Sequence, residues 1–147
     1  SGQYIYRLIP KAILYGLTGK KFPLEGGGKS MKSFMHAQDL ADAIIAIIHS
    51  DKFGKIYNAG VDKPNSIREI VECVAKNLKI DINEFCEITE GRKTEDSQYW
   101  INSELINNDL NWKAKINLDE GIDEVVQWAK KYKDVLIKEP QNFILRA

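Results

Sequence analysis

Residues 22–48 read FPLEGGGKSMKSFMHAQDLADAIIAII and contain the strongest signals for the arrangement of strands and helices. Residues 22–24 are a strand candidate that three glycines end, and residues 33–36 read as a second extended stretch. Asp39 then suits the cap of a helix over residues 40–49. Because that helix is apolar nearly all round, we expect it to be buried between layers.

Alternating helices and strands are predicted on both sides of this stretch. A Ser-x-x-Glu capping box at Ser66 and Glu69 opens the clearest amphipathic helix in the chain. The other predicted elements are helices near residues 10–18, 102–110 and 117–133 and strands at 55–60 and 86–89. Strands that alternate with helices indicate an α/β layer arrangement, either as a small domain or as part of a larger one.

The composition is that of an ordinary globular domain. The 147 residues include 21 Lys+Arg and 21 Asp+Glu, so the formal net charge is zero, and 44% of the residues are hydrophobic. These values argue against a disordered, collagen-like or coiled-coil chain. Zero net charge gives no electrostatic reason to bind nucleic acid or an anionic membrane, and we expect neither as a partner. Any anionic ligand must therefore be held by a few placed cations.

The cysteine, histidine and hydropathy patterns indicate whether to expect disulfides, a metal site or a membrane-spanning helix, and in which cellular compartment the chain lies. Cys73 and Cys86 form no C-x-x-C pair, and neither His36 nor His49 stands at metal-ligand spacing. We therefore expect no disulfide framework and no metal site, and we interpret the chain as cytoplasmic. No apolar run approaches the roughly 20 residues that a membrane-spanning helix needs.

The glycine-rich segment is close to two nucleotide-binding motifs and fits neither. A Walker A loop needs a glycine where Pro23 stands, five residues before the Gly-Lys-Ser that starts at Gly28. The dinucleotide fingerprint G-x-G-x-x-G lacks its third glycine. A tight turn is the favoured interpretation. For His36 and Asp39, a packed histidine and a helix cap are likewise favoured over a general base and an acid catalyst.

Two cations are candidates for binding an anion. Lys32 follows the glycine turn, and Arg92 lies in a loop just after the strand candidate at residues 86–89. Either residue alone is typical of a solvated surface charge. Two cations that converge from separate loops, however, can clamp a diphosphate through charge-assisted hydrogen bonds.

Several groups of residues, in order along the chain, carry a family resemblance. They are YRLIPKAI at 6–13, GGGKSMKSFMHAQDLA at 26–41, YNAG at 57–60 with SIREIV at 66–71, RKTEDSQY at 92–99, and LNW at 110–112 with LDEGI at 118–122. Each group is weak alone, but their order and spacing are specific. Over residues 4–133 the chain resembles the extended short-chain dehydrogenases of the NAD-dependent epimerase/dehydratase family, and among them the sugar-nucleotide 4,6-dehydratases.

The resemblance implies an α/β fold that is the small substrate-binding portion of a Rossmann-like enzyme, with the nucleotide-binding half missing. Residues 1–137 correspond to the family's C-terminal substrate-binding domain, and residues 138–147 to a tail. The family's other half binds NAD and carries a Tyr-x-x-x-Lys pair, and this chain has no such pair. The resemblance therefore implies no catalytic residue in this chain, with NAD held by the missing half, and we expect the chain alone to be inactive.

Family resemblance also assigns substrate-binding roles. Lys32 stands where the family usually has an arginine on the diphosphate, and Arg92 matches the second diphosphate-binding arginine. Lysine keeps the charge but lacks the bidentate fork of arginine. Phe22 and Leu24 match the stretch that lines the nucleobase pocket. The resemblance assigns no cofactor-binding residue and no metal ligand.

The function that this resemblance implies is the binding of a nucleotide-diphospho-sugar by an NAD-dependent 4,6-dehydratase, such as a dTDP-glucose or GDP-mannose 4,6-dehydratase. The alternatives are a sugar-nucleotide 4-epimerase, a 4-keto reductase, and a non-catalytic interaction module on the same fold. A homodimer is expected for the intact enzyme. Without the other half, we expect apolar surface to be exposed on the helix at residues 40–48.

Overall fold

The computed structural model describes residues 4–91 and 96–141 of the chain. Its helices are α1 (Leu8–Leu17), α2 (Ala37–Ile48), α3 (Ile67–Leu78), α4 (Ile82–Phe85), α5 (Glu104–Leu110), α6 (Leu118–Lys131) and α7 (Lys133–Leu136). Its strands are β1 (Phe22–Glu25), β2 (Met31–Lys32), β3 (Asn65–Ser66), β4 (Cys86–Thr89) and β5 (Gln98–Tyr99). The predicted α/β class is confirmed.

The strands form two small sheets that flank the glycine turn. β1 pairs in parallel with β4, with Phe22 opposite Cys86 and Glu25 opposite Thr89. β2 is the centre of the second sheet, antiparallel to β3 and parallel to β5. The extended stretch predicted at residues 33–36 is not a paired strand, and the strand β2 consists of the two residues before it. The chain therefore leaves one sheet at the glycine turn and enters the other directly after it.

The main core lies between three helices and β1. The amphipathic helices α1, α3 and α6 pack against one another, as the 3.6-residue period of their apolar positions requires. The capping box at the start of α3 is confirmed, because Ser66 Oγ accepts from Glu69 N at 3.1 Å and Ser66 N donates to Glu69 Oε2 at 2.7 Å. Asn117 caps α6 by accepting from Glu120 N at 3.0 Å. The elements with strong local signals therefore form as predicted.

The start of α2 differs from the prediction. His36, not Asp39, is the cap, and its Nδ1 accepts from Gln38 N at 3.1 Å. Asp39 is only 2% exposed and accepts from Lys115 N at 2.9 Å and Ile116 N at 3.1 Å. The carboxylate thus satisfies two adjacent amides of the segment before α6. These amides lie more than 70 positions further along the chain, so no local pattern could reveal this role.

Replacing Asp39 by asparagine is expected to lower the free energy of unfolding by about 1–2 kcal/mol, because the amide group offers one acceptor oxygen to two backbone donors. Asp42→Asn is the matched control on the same helix, since Asp42 accepts an exposed hydrogen bond from the Gln38 side chain. Urea unfolding of both variants measures the difference. Equal losses in the two variants would contradict the role of Asp39.

The apolar surface of α2 is largely uncovered. Only Asp39 and Ala43 of this helix are buried, so the prediction that the helix lies between layers is wrong for the structure described. The apolar residues left exposed are Leu40, Ile44, Ile45 and Ile48, the last of them 68% exposed. The expectation of exposed apolar surface on this helix is therefore confirmed.

The predicted strand at residues 55–60 is also wrong, since no described segment pairs with it. Two side chains instead anchor this segment to α5, where the hydroxyl of Tyr57 donates to Asp109 Oδ2 at 2.8 Å and Lys55 forms an ion pair with the same carboxylate. A strand requires a neighbour for its backbone hydrogen bonds.

Within the described ranges, no helix has the length and apolar character that crossing a membrane requires.

Candidate functional site

Three consecutive glycines build the turn between the two sheets. Gly26, Gly27 and Gly28 have φ angles of +56°, +71° and +69°, a region that other residues rarely adopt. A Cβ on Gly28 would lie 2.8 Å from the backbone N of Arg68. A Cβ on Gly91 would lie 3.1 Å from Gly26 Cα. The glycines therefore form the predicted tight turn and let two backbone segments approach it closely.

A surface hollow of about 510 Å³ lies beside this turn, and we call it the turn hollow. Two cations, Lys29 and Arg68, are among its lining residues. Arg68 is held in place because its Nε donates to Gly27 O at 3.1 Å and its Nη1 lies 3.6 Å from Glu72 Oε1. The full lining is Gly26, Gly27, Gly28, Lys29, Ser66, Arg68 and Ile88.

A second opening of about 210 Å³, the α1–β1 cleft, lies between the first helix and the first strand. Leu8 and Lys11 face it from α1, as positions three apart on a helix share one face. Its full lining is Tyr6, Leu8, Lys11, Phe22, Pro23, Glu25, Ser30 and Ile67. The cleft is smaller than the roughly 300–1,000 Å³ of sites that hold whole drug-sized ligands. It therefore has room for only part of a ligand of that size.

Of the two β1 residues that the family pattern suggests, Phe22 lines this cleft and Leu24 does not. Phe22 lines the cleft but is 4% exposed, and Leu24 is 1% exposed in the core and lines neither opening. Side chains alternate across a strand, so Pro23 and Glu25 share the face opposite Leu24. Sequence reasoning missed Pro23, Glu25 and Lys11 as cleft residues. The alternation of apolar and other residues in FPLE was the signal that could have found the first two.

Lys32 lies at the centre of the second sheet. Its Cα partners are Asn65 on β3 and Tyr99 on β5. The residues on either side of Lys32 form backbone hydrogen bonds to β5 and to the residue that precedes β5. Met31 N donates to Ser97 O at 2.9 Å, and Ser33 N donates to Tyr99 O at 3.2 Å. Lys32 is not among the residues that line the two openings.

Arg92 lies outside the described residues, but the chain on both sides of it is placed. Gly91 contacts Gly26 of the glycine turn. Ser97, two residues after the segment 92–95 ends, accepts a hydrogen bond from the backbone N of Met31, the residue before Lys32. One flank of the segment that contains Arg92 therefore lies against the glycine turn, and the other flank lies against β2.

A cluster of titratable side chains outside the two openings joins two helices. Burial raises the pKa of the Cys73 thiol to about 11, and the thiol donates to Asp119 Oδ1 at 3.3 Å. Hydrogen bonds from Lys76, Asn77 and Cys73 lower the pKa of Asp119 to about 2. This cluster joins α3 to α6 and keeps the thiol protonated, so it supplies no nucleophile at neutral pH. In the described ranges, no three His, Cys, Asp or Glu side chains are grouped so that they could hold a metal ion.

Comparison with known sequences identifies the class of protein. The sequence model of the GDP-mannose 4,6 dehydratase family matches residues 1–125, so the chain belongs to this family. Human dTDP-D-glucose 4,6-dehydratase is 27% identical over 134 residues, which cover 88% of this chain and 38% of that protein. A trifunctional UDP-glucose 4,6-dehydratase/epimerase/reductase of Arabidopsis thaliana is 26% identical over 126 residues, with 86% of this chain and 19% of that protein covered.

Solved structures agree with the family. The dTDP-glucose 4,6-dehydratase of Bacillus anthracis, in complex with NAD, matches with a TM-score of 0.80 and 32% identity over 90% of this chain and 41% of that one. The UDP-glucose 4-epimerase of Thermotoga maritima shares the fold, with a TM-score of 0.78 at 15% identity. The chain thus spans 41% of the Bacillus enzyme and 38% of the human one, and it corresponds to a partial Rossmann-like enzyme.

Proposed function

We propose that this chain is the substrate-binding part, over residues 1–137, of an NAD-dependent sugar-nucleotide 4,6-dehydratase, and that Lys32 and Arg92 bind the diphosphate of its nucleotide-diphospho-sugar. The observation that carries the proposal is the anchoring of both flanks of residues 92–95. One flank contacts the glycine turn at Gly26, and the other is bonded to β2 beside Lys32. That arrangement favours two cations from separate loops serving one anion.

The openings beside the turn suit the parts of such a ligand. The α1–β1 cleft has apolar side chains at Leu8, Phe22 and Pro23, which suit the faces of a nucleobase. The turn hollow adds the cations of Lys29 and Arg68 on the side of the glycines. We therefore place the base in the cleft and the diphosphate beside the glycine turn, near Lys32.

The described residues do not fit NAD. A dinucleotide pyrophosphate is bound where a glycine-rich turn leads into a helix N-terminus, whereas Gly26–Gly28 leads into the strand β2. We therefore assign NAD to a part of the intact enzyme outside the described residues. We also propose that the intact enzyme is a cytoplasmic homodimer. The alternatives are a sugar-nucleotide 4-epimerase, a 4-keto reductase and a non-catalytic interaction module on the same fold.

Calorimetric titration of the 147-residue chain tests this function. A nucleoside diphosphate is expected to bind, whereas NAD is not expected to bind tightly and a sugar nucleotide is not expected to be turned over. The folded state is checked by circular dichroism in each titration. Failure of every nucleoside diphosphate to bind the folded chain would contradict the proposed function, and turnover by the chain alone would contradict its assignment as a substrate-binding part.

The exposed face of α2 is expected to make the isolated chain self-associate, since large apolar patches mark interaction surfaces. Sedimentation velocity should show species larger than the monomer that grow with concentration. Ile44→Lys together with Ile48→Lys is expected to shift the chain towards monomer. Val135→Lys together with Ile137→Lys places the same two charges at exposed apolar positions in and directly after α7 and serves as control. A clean, stable monomer of the unmodified chain at all concentrations would contradict this expectation.

A further inference from the structure

We infer that Arg68 is a positioning residue for the proposed diphosphate site: its guanidinium holds the glycine turn, and through the turn it places Lys32. This inference rests on the proposed function, because it concerns how a proposed phosphate-binding cation is held. It assigns the Arg68 side chain to the backbone of the turn rather than to the phosphate.

The glycine turn has little resistance of its own to movement. Each of its three residues has a positive φ, and glycine moves through a wide allowed region at low cost. The turn is followed closely by β2, since only residues 29 and 30 lie between them. A shift of the turn is therefore passed on to Lys32 unless contacts from another part of the chain hold both.

The start of α3 and the strand before it run alongside β2 and the glycine turn. β3 pairs with β2, and Ile67, which follows β3, donates its backbone N–H to Ser30 O at 3.0 Å. Arg68 continues the series through its side chain, whose Nε donates to Gly27 O at 3.1 Å. These contacts extend from β2 back into the turn, and the Arg68 contact is the one that reaches the turn itself.

The guanidinium of Arg68 is in turn held by its own helix. Its Nη1 lies 3.6 Å from Glu72 Oε1, one helical turn further along α3. The Arg68 side chain is half-buried, and a hydrogen bond from a charged donor is stronger than one between neutral groups. Because α3 contributes buried residues to the main core, Arg68 connects the mobile glycines to a rigid element.

Two substitutions separate the N–H donor of Arg68 from its positive charge. Glutamine carries an amide nitrogen on Cδ, where arginine carries Nε, so Arg68→Gln keeps a donor for Gly27 O and removes the charge. Methionine has a similar length and no donor, so Arg68→Met removes both. Both new residues favour helices about as well as arginine does, and both variants lose the charge that faces Glu72.

Calorimetric titration of the two variants and the unmodified chain tests the inference. The probe is whichever of GDP, dTDP, UDP and ADP binds the unmodified chain most tightly. Arg68→Met is expected to weaken its binding about fivefold, the scale of one hydrogen bond, whereas Arg68→Gln should bind as the unmodified chain does. The corresponding nucleoside should bind all three chains equally. In a Lys32→Ala background, Arg68→Met should cost little further affinity, because the cation that Arg68 positions is gone.

Amide hydrogen exchange tests the hold on the turn without any nucleotide. The amides of residues 26–28 should exchange faster in Arg68→Met than in Arg68→Gln or the unmodified chain, because the turn opens locally once the bond to Gly27 O is lost. Amides in the middle of α6 should exchange equally in all three chains. Unchanged exchange of the turn in Arg68→Met would overturn the inference.

The outcomes separate the inference from the proposed function. Equal losses of diphosphate affinity in Arg68→Gln and Arg68→Met would show that the charge itself contacts the phosphate, and would overturn the positioning role alone. Unchanged affinity in both variants would do the same. A loss in Arg68→Gln overturns the inference even where Arg68→Met does not fold. Absence of binding by all four nucleotides to the folded, unmodified chain would overturn the proposed function, and the role of Arg68 in binding with it.

Discussion

Replacing Gly28 by alanine is expected to lower the free energy of unfolding by about 2–4 kcal/mol. Alanine at a φ of +69° is strained, and its Cβ would also stand 2.7 Å from Leu24 Cδ1 and 2.8 Å from Arg68 N. The leucine lies in the core, and the backbone of Arg68 belongs to α3. Neither neighbour can yield without moving an element that positions the candidate site.

Gly27→Ala is the matched control for this effect. Gly27 has a similar φ of +71°, but nothing lies within 4 Å of the added Cβ. The control variant should therefore lose only the conformational part, about 1 kcal/mol. Urea unfolding of both variants measures the difference, with the slope of each transition as a check on two-state behaviour. Equal losses would show that the approach of α3 to the turn does not constrain residue 28.

The second large effect is expected on nucleotide affinity, when either proposed phosphate-binding cation is replaced. Lys32→Ala and Arg92→Ala should each weaken the binding of a nucleoside diphosphate by about 1–3 kcal/mol, the range for a hydrogen bond to a charged group. Arg92 should lose more than Lys32, because only the guanidinium can form two parallel hydrogen bonds to a phosphate. Calorimetric titration at constant ionic strength measures both affinities.

A lysine away from the site separates this effect from a change in overall charge. Lys130 is exposed in the last turn of α6, and Lys130→Ala removes one positive charge without touching the glycine turn. Its nucleotide affinity should equal that of the unmodified chain. A loss in Lys130→Ala as large as in Lys32→Ala would indicate a general electrostatic effect rather than a placed cation.

Features with a complete local signal could be predicted from the sequence. The capping box of Ser66 and Glu69 specifies where α3 begins, because both partners lie within one helical turn. The three glycines indicate a turn because their backbone freedom is a property of the residues themselves. Pro10 indicates the first turn of α1, which begins at Leu8, because the missing amide hydrogen has no partner there in any helix.

Features that depend on distant partners could not be predicted in this way. Asp39 looks like a cap in the sequence, but the donors it satisfies belong to residues 115 and 116. Residues 55–60 have the composition of a strand, and no described strand lies beside them. The apolar face of α2 indicates burial, but burial also needs a covering element. In each case the local sequence pattern is compatible with the predicted feature, but whether that feature forms depends on a partner distant in the sequence.

The candidate site contains both features with a local sequence signal and features that depend on distant partners. Lys32 could be proposed from the sequence because it follows the glycine turn, whereas Lys11 and Glu25 come together only when α1 packs beside β1. The alternation along β1 places Leu24 in the core and Glu25 at the cleft.

A double-mutant cycle on Lys32 and Arg92, with a nucleoside diphosphate and the corresponding nucleoside as ligands, tests most directly whether two cations grip one diphosphate. Each single variant and the double variant should lose affinity for the diphosphate but not for the nucleoside, and the two losses should be coupled rather than additive. Unchanged diphosphate affinity in both single variants, or equal losses for the nucleoside, would contradict it.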